Sequence, residues 1–327
     1  MKEFYIAFLT TGSEIQDFYL VKSIAVRVGS NKKQYLDLQV GDKTGEINGK
    51  KWDIPDTELP ALNEIKVGDI VKLKAQVTEW NGLKQLRVTR IRKAVRQDGV
   101  ELSDFYRTAP EKPEEMFAFL EETVQRMTDP ELRAISDAVL TRNREKLMYY
   151  PAAMKNHHAE IGGLLYHMKR MVQMGEYYCS VYTNLNRDLL LTGVLIHDIE
   201  KLTEIVCDET GIASSYSFEG QLLGHIVLGV KTLARLAAEL NISSEKAVML
   251  EHMILSHHYE PEFGSPKKPL FPEAELLHYL DIVDARMYDM ADALIGIQPG
   301  DFSDRIWRLE NRSLYKDTFS DRKQTEK

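Results

Sequence analysis

The stretch LLLTGVLIHDIEKLTEI, residues 189–205, places three ionisable groups at the end of an apolar segment. Leucines, Val194, Leu195 and Ile196 lead into His197 and Asp198, and Lys201 follows. Burying such groups without partners costs on the order of several kcal/mol each, so the fold must supply partners. All nine histidines lie beyond residue 150, and several interrupt apolar helical patterns in the same way: His167 in GGLLYHMKRM, His225 in LLGHIVLG, and His257 and His258 in MILSHHYE. Asp281 in LLHYLDIVDARM is also framed by apolar neighbours. Taken singly, a histidine in such a setting is a satisfied packing residue. Five of them with two misplaced aspartates point to divalent cations, because mixed imidazole and carboxylate donors suit Mn²⁺, Fe²⁺, Co²⁺ or Zn²⁺.

Adjacent helical residues point about 100° apart, so His197 and Asp198 can face two ions, or one ion and a supporting group. Asp198 has two oxygens and can bridge ions ~3.5–4 Å apart. Lys201 is expected on the same helix face as His197, either to hold an anionic substrate or to pair with a ligand carboxylate. The ordered set His167, His197–Asp198 with Lys201, His225, His257–His258 and Asp281 resembles the HD metal-dependent phosphohydrolase superfamily in its dinuclear form. The resemblance implies one ion on His167, His197, Asp198 and Asp281, and a second on Asp198, His225, His257 and His258. The commoner motif is HDxGK; this chain reads HDIEK, with Glu200 at the glycine position and the ligands and lysine intact. His157, His158, His252 and His278 are left without a ligand role, His252 as a structural or supporting residue and His157–His158 near the entrance at most. Such a centre predicts hydrolysis of a phosphate ester by activated water, with Asp198 and Lys201 as the catalytic residues and Lys201 on a phosphate oxygen.

The elements that must carry these residues fall into two textures. Residues 16–93 read as β: QYLDLQV (34–40) and DIVKLKAQVTEW (69–80) alternate apolar and polar positions. Turn signals separate the runs, and Asn81–Gly82 between alternating segments marks a hairpin. About five short strands imply a small closed barrel, with an OB-fold leading. RTAPEKPEE (107–115) is a polar connection, and from Met116 onward three- and four-residue apolar spacing predicts helices, with starts at Pro130 and Pro272. The expected chain therefore has two domains: an all-β OB-fold barrel over 1–95, a helical connection over 96–150, an all-α HD domain over 151–300, and a C-terminal arm over 301–327. At 43% hydrophobic and 28% charged residues the composition is that of a soluble globular protein. No run approaches the ~20 apolar residues of a membrane span. Two cysteines outside any metal-binding spacing and no signal-peptide pattern fit a reduced, cytoplasmic protein.

The barrel is expected to select the substrate. The net charge is −8, yet residues 1–100 carry 17 Lys and Arg against 13 Asp and Glu, while the remainder carries 25 against 37. A mildly basic front can meet an anionic polymer. OB-folds bind single strands with aromatic platforms and basic grooves, and Tyr35, Trp52 and Trp80 are interleaved here with Lys32, Lys33, Lys51, Lys84 and Arg87. Lys267 and Lys268 in GSPKKP (264–269) lie between ligand positions, where they can grip a nucleic-acid backbone or simply remain solvated. A barrel followed by an HD domain, with EINGKKWD (46–53), NHHAEIGGLLYHM (156–168), LIHDIEK (195–201), YSFEGQLLGHI (216–226), residues 254–287 and RIWRLENRSLY (305–315), resembles the YhaM family of bacterial 3′→5′ exoribonucleases, also described as CMP-binding-factor-like. That resemblance implies Mn²⁺-dependent removal of nucleoside 5′-monophosphates from the 3′ end of single-stranded RNA, with single-stranded DNA a second candidate, and two Mn²⁺ ions as cofactors. An HD phosphohydrolase of small nucleotides and a single-strand-binding accessory protein with a vestigial metal site are the competing readings, the last opposed by the intact ligand set. Apolar residues on several helices leave room for a homo-oligomer.

Overall fold

The structure is a computed structural model that describes residues 2–29, 33–52, 54–55, 57–154, 158–208 and 211–319. Lys32 and His157 lie outside the described residues. The chain forms two compact units, 1–107 and 108–327.

The first unit is a closed five-stranded barrel of β1 (Glu14–Val28), β2 (Gln34–Asp42), β3 (Gly45–Lys51), β4 (Ile70–Trp80) and β5 (Leu83–Lys93), ordered β1-β2-β3-β5-β4. All neighbours run antiparallel except β3 and β5. A short helix, α1 (Leu59–Asn63), sits between β3 and β4. This is the OB-fold that the alternation implied. Leu36, Leu38 and Val40 of β2 and Val71, Leu73, Ala75 and Val77 of β4 point inward and are buried. The Asn81–Gly82 turn joins β4 to β5 with both residues at positive φ, 51° and 77°, the geometry of a two-residue hairpin. Residues 96–107 stay with the barrel. Phe105 packs on Phe18 and Leu20, and the Asp104 carboxylate accepts the Tyr5 hydroxyl at 2.6 Å.

The second unit is helical: α2 (Pro113–Gln125), α3 (Pro130–Leu147), α4 (Gly163–Val181), α5 (Arg187–Ile196), α6 (Lys201–Glu204), α7 (Phe218–Glu239), α8 (Ser244–Ser256) and α9 (Pro272–Ala293). A two-stranded ribbon of β6 (Ile205–Cys207) and β7 (Ala213–Tyr216) lies between α6 and α7. α3 starts where Pro130 suggested, because the Asp129 side chain accepts the N–H groups of Glu131 and Leu132. α2 and α3, expected as a connection, contribute Phe117, Leu120, Ile135 and Leu140 to the same core as the later helices. From Asp188 onward α5 is buried on every face, because it packs against α3, α4, α8 and α9 at once. Its C-terminal end therefore delivers whatever follows Ile196 into the middle of the unit. No helix among the described residues is long and apolar enough to cross a membrane.

Candidate metal centre

α5 ends at Ile196, with His197 as its C-cap, and the chain turns before α6 begins at Lys201. This break alters the expected placement of Lys201. It does not share a helix face with His197; its Nζ lies 2.7 Å from Asp198 Oδ2, so it pairs with the Asp198 carboxylate. Around this turn gather His167 from α4, His225 from α7, His257 and His258 at the end of α8, and Asp281 from α9. One donor atom each from His167, His197 and Asp198 lie within 4.8 Å of one another, and so do the donors of His225, His257 and His258. Asp281 Oδ1 is 3.4 Å from His167 Nε2.

Asp198 stands between the two groups. Its Oδ2 is 3.3 Å from His197 Nε2 and 3.8 Å from His167 Nε2, while Oδ1 is 3.5 Å from His225 Nε2 and 3.9 Å from His257 Nε2. Burial works against a charge on Asp198, but Lys201 and His197 hold its carboxyl well below the usual carboxylate range.

The histidines are held in one tautomer. Nδ1–H of His197 donates to Val194 O, that of His257 to Ile254 O, and that of His258 to Phe263 O, at 2.9, 2.7 and 2.6 Å. A carbonyl can only accept, so Nδ1 carries the hydrogen and Nε2 presents a lone pair. His225 Nδ1 faces the Glu204 carboxylate at 3.1 Å, and His167 Nδ1 faces Asp284 Oδ2 at 2.8 Å. Nε2 of His197, His225 and His257 and Oδ1 of Asp198 are buried without a hydrogen-bond partner among the described residues. Buried polar atoms are nearly always satisfied, and four unsatisfied acceptors converging on one place fit a divalent cation. The charges agree. Burial opposes a proton on His167, yet Asp281 and Asp284 push its pKa up to about 9, which shows how strongly this end of the site attracts positive charge. Burial, with His258 and His197 close by, keeps His257 neutral.

The remaining histidines among the described residues have other partners. His158 is fully buried, not at an entrance, and its Nε2 meets Asp284 Oδ2 at 2.7 Å. His252 Nε2 accepts Leu270 N–H, and His278 Nδ1–H donates to His257 O. The GSPKKP loop is fastened to His258: fully buried Ser265 accepts its N–H at 3.0 Å. Lys267 and Lys268 on that loop are exposed, with Lys268 Nζ 4.4 Å from the Tyr259 ring centre.

On the barrel, Tyr35 and Trp52 stack with centroids 4.6 Å apart, and Lys50 Nζ lies within 6 Å of both rings. Lys50 pairs in register with Arg87 of β5, which is exposed. Lys51 does not join them. Lys51 is buried; its ammonium donates to Thr89 O and pairs with the exposed Glu58, because consecutive strand residues point to opposite faces and Lys51 shares its face with Ile47 and Gly49. Lys84 Nζ is bonded to Leu9 O, Lys33 is exposed beside the start of β2, and Trp80 is 67% exposed at the hairpin end of β4.

The HD domain family matches residues 164–286. The 3′-5′ exoribonuclease YhaM of Geobacillus sp. (strain WCH70) is 41% identical over 310 residues, covering 94% of this chain and 94% of that protein. Those of Bacillus subtilis (strain 168) and Listeria monocytogenes serovar 1/2a are each 38% identical, covering 94% of this chain and 96% of theirs. The chain belongs to the YhaM 3′-5′ exoribonuclease family.

Three residues of the site were not singled out in the sequence. Asp284, three positions after Asp281 on α9, joins His167 to His158. Glu204, at the end of α6, holds His225. Lys50, not Lys51, stands over the aromatic pair of the barrel. For Asp284 the helical spacing from Asp281 was the available signal, and for Lys50 it was the phase set by Ile47 and Gly49; nothing local marked Glu204.

Proposed function

We propose that this protein is a metal-dependent 3′-5′ exoribonuclease that shortens single-stranded RNA and releases nucleoside 5′-monophosphates. The observation that carries the reading is Asp198, whose two oxygens face two separate histidine groups. His167, His197, Asp198 and Asp281 would hold one divalent ion, and Asp198, His225, His257 and His258 a second, with Mn²⁺ our choice for both. Bound ions would supply an activated water and neutralise phosphate charge. The chain's own residues do the rest. Carbonyl-bound Nδ1–H groups fix the rings of His197, His257 and His258 with Nε2 turned toward the centre, so no reorganisation is needed when substrate arrives. Lys201, buried beside Asp198, keeps that carboxylate ionised and brings a fixed positive charge to the phosphate end of the site. Exposed Lys267 and Lys268 extend positive charge along the loop fastened to His258.

The Tyr35–Trp52 pair with Lys50 and Arg87 supports single-strand binding on the barrel, through base stacking and phosphate attraction. The family relationship supports RNA over a small nucleotide as substrate. The deciding experiment incubates 5′-end-labelled single-stranded RNA with the protein and Mn²⁺. A ladder shortening one nucleotide at a time from the 3′ end, with mononucleotide release and no reaction in chelator, is the expected result. Internal cleavage, or hydrolysis of free nucleotides alone, would overturn the proposal.

A further inference from the structure

α7 is not one regular helix. At Gly224 the backbone leaves the helical region, with φ 68° and ψ 163°, and the helix resumes at His225. That combination is essentially restricted to glycine. The break frees the N–H of His225, and the Glu204 carboxylate accepts it at 3.1 Å. The same carboxylate faces His225 Nδ1 at 3.1 and 3.2 Å, so one side chain caps the restarted helix and orients its first imidazole. The backbone of Glu204 is fixed from the other end of the same segment. Ser217 N–H donates to Glu204 O at 2.8 Å, and a Cβ at Gly220 would lie only 2.4 Å from that oxygen, so only glycine permits this approach. Ser217, Gly220 and Gly224 of YSFEGQLLGHI thus all converge on Glu204.

No other ligand in the second group depends on a carboxylate: His257 and His258 lean on carbonyls of their own neighbourhood. We infer that Glu204 is the positioning residue of His225, and that it acts on the second metal position while leaving the first, built by α4, α5 and α9, intact. This deepens the two-ion reading above and rests on it. A carboxylate behind an imidazole fixes the tautomer and raises the basicity of the ligand nitrogen, and losing such a partner typically weakens metal affinity about 10–100-fold.

The test is Mn²⁺ binding by equilibrium dialysis on the full chain, for wild type, Glu204→Gln, His225→Ala and the double variant, with circular dichroism to confirm folding. Glutamine keeps the size and one acceptor, so the fold survives. The expected result is two ions on wild type, and in Glu204→Gln a second ion weakened about 10–100-fold with the first unchanged. In the His225→Ala background, Glu204→Gln should cause no further loss, because its effect runs through that imidazole. Wild-type affinity at both positions in Glu204→Gln, an equal loss at both, or an additive loss in the double variant would overturn the role given to Glu204 while sparing the two-ion site. A wild-type chain that binds one ion would overturn both together.

Discussion

Asp198 Oδ1 lies 3.5 Å from Nε2 of His225; both atoms are buried, and neither has a hydrogen-bond partner among the described residues. A buried imidazole nitrogen and a carboxylate oxygen brought this close, each without a hydrogen-bond partner among the described residues, form a contact that a cation completes. The loop after α5 and the restarted half of α7, 27 residues apart in sequence, meet there.

Replacing Asp198 by Asn should lower RNA hydrolysis by at least about 10²–10³-fold and abolish two-ion binding. Asn is the better probe than Ala, since its amide oxygen still accepts from the Lys201 ammonium, whereas Ala leaves that donor with no acceptor from residue 198. Hydrolysis rates and metal content, measured on the same preparation, check this. Full activity in Asp198→Asn would remove the metal mechanism.

Asp284→Asn should weaken Mn²⁺ at the first position about 10–100-fold, because Oδ2 receives both His167 and His158. The second position should be unaffected, the mirror of Glu204→Gln. Dialysis of the two variants side by side tests the separation.

Lys50→Ala and Lys51→Ala should differ although the residues are neighbours. Lys50→Ala should weaken single-stranded RNA binding and reduce the slope of log affinity against log salt by about 1. Lys51→Ala should leave that slope unchanged and lower barrel stability by about 1 kcal/mol, since its ammonium bonds Thr89 O inside the rim. Fluorescence anisotropy across a salt series and thermal melts distinguish them.

Asp188 joins the start of α5 to the turn before α3: its Oδ2 accepts the N–H of Thr128 and of Asp129 and the Thr128 hydroxyl. Asp188→Asn should cost about 1–3 kcal/mol at neutral pH. Burial opposes the charge of Asp188, but these donors and Arg187 hold the carboxyl below its ordinary value. A depressed folded-state pKa gives stability that is present above the usual carboxylate range and is lost as pH falls through the folded value. The gap between wild type and variant should therefore be full at pH 7 and shrink in acid, as urea melts at several pH values would show.

The sequence by itself determined the barrel, because alternation of Leu36, Leu38 and Val40 admits one buried face, and the Asn81–Gly82 turn fixes one hairpin register. It also determined which donor atoms are available, since imidazole and carboxylate chemistry belongs to the residue and His197–Asp198 cannot be buried unpartnered. Tertiary structure decided which nitrogen His167 and His225 present, whereas His197, His257 and His258 are set by carbonyls three to five residues away. That depends on the group behind the ring: for His167 it is Asp284, 117 residues away, and for His225 it is Glu204, aligned by a helix break that periodicity reads straight through. It decided the face of Lys51 as well, because adjacent lysines look alike in a sequence until the strand's inward phase is set by its neighbours in the barrel. Donor identity is covalent and local, whereas the orientation of His167, His225 and Lys51 is a property of contacts between distant segments, and those exist only once the chain has folded.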